Sequence, residues 1–226
     1  MSTTLFIPLA REFRLLPVQL ELCRRFIAGL DRVLIVETAP GPSWIRSGGP
    51  WRLRREMAAA LEVDLIEGPD VAGLIPPHRI GKIFAWLRLA IAAACDDEHN
   101  ALVLSGDVLP LRHLDVAEMC SGQPAATRDP WTCCTWFCGQ SRKLPDLDEP
   151  GWRLHAAYRM QPEDANLPGL AAAGYAASMG FEWLEPGFLH ADKLVTRGEF
   201  AEDKIPVLEK LLGVKLPSHE IMREEL

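Results

Sequence analysis

Ala101-Leu-Val-Leu104 is an unbroken apolar run that empties into Ser105-Gly106-Asp107, with a proline turn close behind at Pro110. A carboxylate delivered at the carboxyl end of a buried strand can hold a hard cation, Mn2+ or Mg2+, through oxygen. The same residue in the same place also serves simply to cap a turn. Upstream, His78-Arg79-Ile-Gly-Lys82 opens a helical stretch with two cationic side chains. A helix N-terminus already favours phosphate, and Arg79 with Lys82 adds formal charge; the alternative is a solvated basic face. Downstream, Gly187-Phe-Leu-His190-Ala-Asp192-Lys193 follows an apolar stretch. Imidazole is an acceptable partner for manganese beside oxygen ligands, though a histidine here also fits the capped end of a strand.

These residues need a scaffold that brings distant segments together. Residues 4–9 form a short apolar run closed by proline, which predicts a buried strand. Leu15, Leu16, Leu20, Cys23, Phe26 and Ile27 recur at helical spacing, and Gly29 stops that helix. Residues 32–37 predict a second strand, 51–61 a helix, 63–66 a strand, 68–77 a loop, and 78–95 the strongest helix. In that helix Ile80, Ile83, Phe84, Leu87 and Ile91 form the buried face, with Arg79, Lys82 and Trp86 together on another side. The strand over 101–105 completes a β-α-β-α-β-α-β alternation, which argues for a mostly parallel sheet covered on both faces. Ligands of such sheets bind beyond the carboxyl ends of the strands. The second half is less regular. It predicts helices near 115–120, 152–160, 162–177 and 199–212, a strand near 132–138, and a strand at either 181–184 or 188–190.

With 226 residues, 48% hydrophobic and 24% charged, the chain is large enough to bury a core and fits one domain. The α/β alternation divides the chain near residue 115 into a regular half, 1–115, and a less regular half, 116–226, with a C-terminal helix. A formal charge of −7 argues against a broad hold on DNA or anionic lipid. Arg46, Arg52, Arg54 and Arg55 are the one candidate basic patch. No apolar run is long enough for a membrane span, and the first residues lack a basic n-region, so a cytoplasmic protein is expected. The six cysteines are expected to be reduced and mostly buried. Cys133, Cys134 and Cys138 crowd together, but no second pair exists to complete a zinc shell.

The element order and three short motifs, Ser105-Gly106-Asp107, His78-Arg79-Ile-Gly-Lys82 and Gly187-Phe-Leu-His190-Ala-Asp-Lys193, resemble the A-type (GT-A fold) nucleotide-sugar glycosyltransferases. The resemblance runs from Thr4 to about Lys193. It implies a Rossmann-like α/β fold, a UDP- or GDP-type sugar donor and a divalent metal on the donor diphosphate. That metal neutralises charge as the sugar leaves. Asp107 and His190 would be its ligands, with Ser105 standing where the family's Asp-x-Asp motif has its first carboxylate. Arg79, Lys82 and Lys193 would face the diphosphate. Pro8, Leu9 and Arg11, after the first strand, would frame the base, and Glu37 with Thr38 would contact ribose or base. Trp136-Phe-Cys-Gly139 resembles the family's strand that ends in a glycine near the acceptor, and it reads equally as an ordinary buried strand. Asp129, Asp146, Asp148, Glu149, Glu163 and Asp164 are candidates for a catalytic base, and spacing selects none of them.

Several functions follow from this reading. The acceptor is a glycan, a small molecule or, in one variant, a modified base in DNA guided by the early arginines. A nucleotidyltransferase would need a glycine-rich basic segment after the first strand, and Pro8-Leu-Ala-Arg11 has no glycine. A catalytically inactive GT-A-like binding module is the non-enzymatic reading, and Ser105 in the first carboxylate position is what favours it.

Overall fold

The computed structural model describes residues 2–9, 15–39, 58–70, 74, 76–127, 135–146, 149–159, 182–190, 195–196, 199–200 and 209. The expected helix over 162–177, residues 51–57 of the helix expected over 51–61, the arginines near Trp51, and Arg11, Cys133, Cys134, Asp192 and Lys193 lie outside these residues.

The first half alternates as its sequence predicts. Strand β1 (Thr3–Leu9) leads to helix α1 (Leu16–Phe26), a two-residue strand β2 (Ile27–Ala28) and strand β3 (Leu30–Ala39). Gly29 takes φ of 68° in the turn between β2 and β3, a left-handed conformation that costs glycine little. Ala58 to Ala60 are helical, and strand β4 (Asp64–Asp70) follows. Helix α2 (Pro76–Ala94) then leads to strand β5 (Asn100–Leu104). The loop expected over 68–77 is therefore shorter, because β4 runs on to Asp70 and α2 starts at Pro76. Proline suits a first helical turn, where its missing N–H has no partner to lose.

Strands β1, β3, β4 and β5 are parallel neighbours, and their inward residues alternate between two cores. Leu5, Ile7, Ile35, Leu102 and Leu104 face one way and pack with Leu16, Leu20 and Cys23 of α1. Phe6, Leu34, Val36, Ala101 and Val103 face the other way and pack with Phe84, Leu87 and Ile91 of α2. A strand buried on both faces reads as a continuous apolar run, which is why these strands were visible in the sequence.

Beyond β5 come the short strands β6 (Val108–Pro110) and β7 (Leu114–Asp115), helix α3 (Val116–Met119), and strands β8 (Ala125–Thr127) and β9 (Trp136–Gln140). The Asp115 side chain accepts from the Glu118 amide and caps α3. The expected helix over 152–160 is instead two strands, β10 (Arg153–His155) and β11 (Ala157–Arg159). Each finds a sheet edge to pair with, and that non-local pairing overrides a weak helical pattern. Two strands, β12 (Glu182–Leu184) and β13 (Phe188–His190), occupy the stretch where a single one was expected. A last pair, β14 (Val195–Thr196) and β15 (Glu199–Phe200), replaces the start of the helix expected over 199–212, of which Glu209 is helical.

The main sheet has the order β10-β8-β9-β5-β1-β3-β4, with β9 antiparallel to both its neighbours and every other pairing parallel. It is a mostly parallel sheet with helices on its faces, the α/β class expected from the sequence. A second, antiparallel sheet has the order β11-β12-β13-β6. No helix among the described residues is long and apolar enough to cross a membrane.

Candidate functional site

The strand order reverses between β1 and β5: β3 and β4 lie on one side of β1, and β5 on the other. Such a switch point leaves a crevice beyond the carboxyl ends of the two strands. Phe6 registers with Val103, so Pro8 and Leu9 project past the end of β5 alongside Ser105-Gly106-Asp107. Leu9 registers with Glu37 of β3, and Thr38 follows it. Four residue positions assigned to the donor from sequence therefore share one rim with the Ser105–Asp107 turn. Helix α2 connects two parallel strands and must run back along the sheet, so its first turns, with Arg79 and exposed Lys82, start from that same rim.

The turn after β5 is held from three directions. The Ser105 amide donates to the Thr135 carbonyl at 2.8 Å, and the Val108 amide donates to the Ser105 carbonyl at 3.0 Å. Gln19, fully buried on α1, donates from Nε2 to the carbonyls of Ser105 at 2.7 Å and Val108 at 2.8 Å. One side chain thus bridges both ends of the turn that presents Asp107. Gln19 escaped the sequence reading because a lone polar residue on an apolar helix face carries no pattern of its own.

His190 reaches Asp107 through the second sheet. Strand β6 begins one residue after Asp107 and pairs antiparallel with β13, with Val108 opposite His190. His190 Nε2 lies 3.1 Å from Asp107 Oδ2, across 83 residues of sequence. On the other edge of the ring, Nδ1 lies 3.1 Å from Glu182 Oε2. The histidine is buried at 8% exposure, while Asp107 and Glu182 are partly open to solvent. Asp107, His190 and Glu182 therefore form one contiguous row at the mouth of the sheet. Glu182 was missed, yet a signal for it exists. Leu184-Glu-Pro-Gly-Phe188 is a turn between two apolar runs, and a hairpin there sets Glu182 opposite His190.

The Asp107 and His190 donors fit a divalent cation. Two neighbouring ligands of an octahedral ion at about 2.1 Å stand ~3 Å apart, close to the 3.1 Å separation of Oδ2 and Nε2. Carboxylate oxygen suits manganese or magnesium, and an imidazole nitrogen beside it is acceptable to manganese. Among the described residues no group of three or more His, Cys, Asp or Glu side chains converges as a metal cluster. Two protein ligands suffice where substrate phosphates and water supply the rest, the usual habit of these hard cations.

The remaining candidates fall elsewhere. Asp146 is ion-paired with Arg88 of α2 and follows the 3-10 turn Ser141–Lys143. That turn lies past Gln140, which registers with Asn100 at the opposite end of β5, so Asp146 is at the far end of the sheet from Asp107. An open cavity of about 400 Å3 sits there too, lined by Ala85, Arg88, Leu89, Leu144 and Asp146 among others. Glu149 is exposed, and Asp129, Asp148, Glu163 and Asp164 are outside the described residues. Gly139 lies inside β9 rather than at its end, and a Cβ there would come within 2.9 Å of Leu144 Cδ2 and 3.1 Å of Pro124 Cβ. Its close approach is to the protein's own core. Cys23, Cys95, Cys120 and Cys138 are free and buried, as expected. A hydrogen bond to Cys138, together with burial, pushes the Cys120 thiol well above its ordinary range.

No protein-family model matches the sequence, and no curated protein is similar to it by sequence. Among solved structures the chain is similar to glucosyl-3-phosphoglycerate synthase from Mycobacterium tuberculosis in complex with Mn2+, UDP-glucose and phosphoglyceric acid, at 11% identity and a TM-score of 0.40. That match covers 62% of this chain and 57% of the synthase, so the chain spans little more than half the synthase's length. It is also similar to a mannosyltransferase from Pyrobaculum calidifontis in complex with GDP-mannose and Mn2+, at 12% identity and 0.39, covering 61% of this chain and 44% of that one. A third, 4-diphosphocytidyl-2C-methyl-D-erythritol synthase, matches at 14% identity and 0.37, covering 63% and 76%. Matches this loose transfer no residue role.

Proposed function

We propose that the chain is a glycosyltransferase that takes its sugar from a nucleotide-sugar donor, with the donor diphosphate seated on a cation that Asp107 and His190 hold. One observation carries the reading: two groups 83 residues apart meet at 3.1 Å beyond the switch point of a mostly parallel sheet. Asp107 and His190 would hold Mn2+ or Mg2+, which when bound neutralises the diphosphate as it departs. Gln19 keeps the Ser105–Asp107 turn in place, so Asp107 meets the donor already oriented. Pro8, Leu9, Glu37 and Thr38 border the nucleoside end of the crevice. Arg79 and Lys82, on the first turns of α2, would supply positive charge for the diphosphate. The acceptor is left to the second half of the chain.

A panel of UDP- and GDP-sugars incubated with the protein and Mn2+, with released nucleotide measured, tests this. Slow hydrolysis of one donor is expected without any acceptor, and Asp107→Ala should lower it by about 100-fold, the scale of losing one transition-state charge contact. A panel with no hydrolysis and no bound nucleotide would favour the inactive binding module.

A further inference from the structure

We propose that Glu182 is a positioning residue: its carboxylate fixes the His190 imidazole so that Nε2 is presented, ready oriented, to a cation shared with Asp107. This rests on the donor-site reading above and goes beyond it by naming what prepares the histidine. Glu182 and His190 are directly opposed across β12 and β13, so their side chains leave the hairpin on the same face. The Glu182 Oε2 to His190 Nδ1 distance is 3.1 Å, and the ring edge that faces Asp107 is the other one. A neutral imidazole offers a lone pair from one nitrogen only and carries its proton on the other. An acceptor at Nδ1 therefore selects the tautomer with Nε2 available, and it limits rotation of the ring.

Glu182 is not itself a third ligand. It lies against Nδ1, and one ion cannot sit at both edges of the same ring. Nor is it a buried structural charge. Its side chain is 36% exposed whereas the histidine is nearly closed off, so water still solvates the carboxylate while the ring depends on it for orientation. The register also leaves little freedom. A one-residue slip of β12 against β13 would send Glu182 to the opposite face.

The test is a calorimetric titration of the whole chain with Mn2+ alone, for wild type, Glu182→Ala, Glu182→Gln and Asp107→Ala. Loss of the second carboxylate in Glu182→Ala should weaken Mn2+ binding by about 10–100-fold. Glu182→Gln, whose amide oxygen still accepts from Nδ1–H, should keep most of the affinity. With Mg2+, 15N spectra of the His190 ring should show the Nδ1–H tautomer in wild type and Glu182→Gln but a mixture in Glu182→Ala. If Glu182→Ala proves unstable, Glu182→Met fills the same space without an acceptor and should show the same weakening. Wild-type affinity in Glu182→Ala, where Asp107→Ala has lost it, overturns the inference and leaves the donor site standing. Equal losses in Glu182→Ala and Glu182→Gln overturn it too, by pointing to charge rather than orientation. Absent Mn2+ binding in wild type overturns the inference, and Mn2+ binding indifferent to Asp107→Ala brings down the donor-site reading with it.

Discussion

Asp107 depends on a side chain that never touches a ligand. Gln19 gives both amide hydrogens to the turn, and its Oε1 is buried without a protein hydrogen bond. Gln19→Leu keeps the volume but removes both side-chain hydrogen bonds to the turn, so unfolding in urea should show a loss of about 1–3 kcal/mol. Cation-dependent nucleotide affinity should fall with it. At the same rim His155 ends β10 and stacks 5.3 Å from Trp136. Burial first, and the Arg153 guanidinium second, hold its imidazole below the ordinary value near 6.5, with Glu185 opposing. The unfolded chain then binds the extra proton between the two values, so stability is lost as pH falls through 6.5 toward the folded value. Melting temperatures from pH 7.5 to 5 should fall more steeply for wild type than for His155→Phe, which keeps the stack and cannot titrate. Of these groups Asp107 and His190 were legible, since one ends an apolar strand and the other closes a glycine-led one. Gln19 and Glu182 were not, because each acts through a partner that only the folded register brings near.

Strands with two buried faces announced themselves, and strands of three residues did not. β1, β3 and β5 are runs of consecutive apolar residues, whereas β10, β11 and β12 gain their conformation from the edges they join. Residues 152–160 were read as a helix for that reason, and β12 and β13 as alternatives rather than as partners. The pairing of β6 with β13 is the element that makes the site, since it carries a residue from late in the chain to the end of β5. Phe188, on that same strand, packs 5.4 Å from Trp136 of β9 and ties the two sheets together. Gly139 tests how tightly β9 is held. Its added methyl in Gly139→Ala meets rigid Pro124 as well as Leu144, so overpacking should cost about 1–3 kcal/mol. A lower urea midpoint at unchanged slope is the expected result.

Across the molecule, the crevice draws on both parts of the chain: Asp107 and the first-strand positions from 1–115, His190 and Glu182 from 116–226. The α/β alternation made the first part readable, while the second is built from non-local pairings that one sequence does not reveal. With a charge of −7, the proposed site for an anionic donor would need local cationic groups and a metal to overcome an unfavourable background. Binding should accordingly need the cation. Thermal unfolding with UDP or GDP, with and without Mn2+, for wild type, Asp107→Ala and His190→Ala measures this most directly. Saturation near 100 times Kd contributes about 2.7 kcal/mol, which for a chain of this size is a rise of roughly 5–10 °C. The rise should appear in wild type only when nucleotide and Mn2+ are both present, and it should vanish in both variants. The same rise in chelator, or one that survives in both variants, would contradict a donor site built on Asp107 and His190.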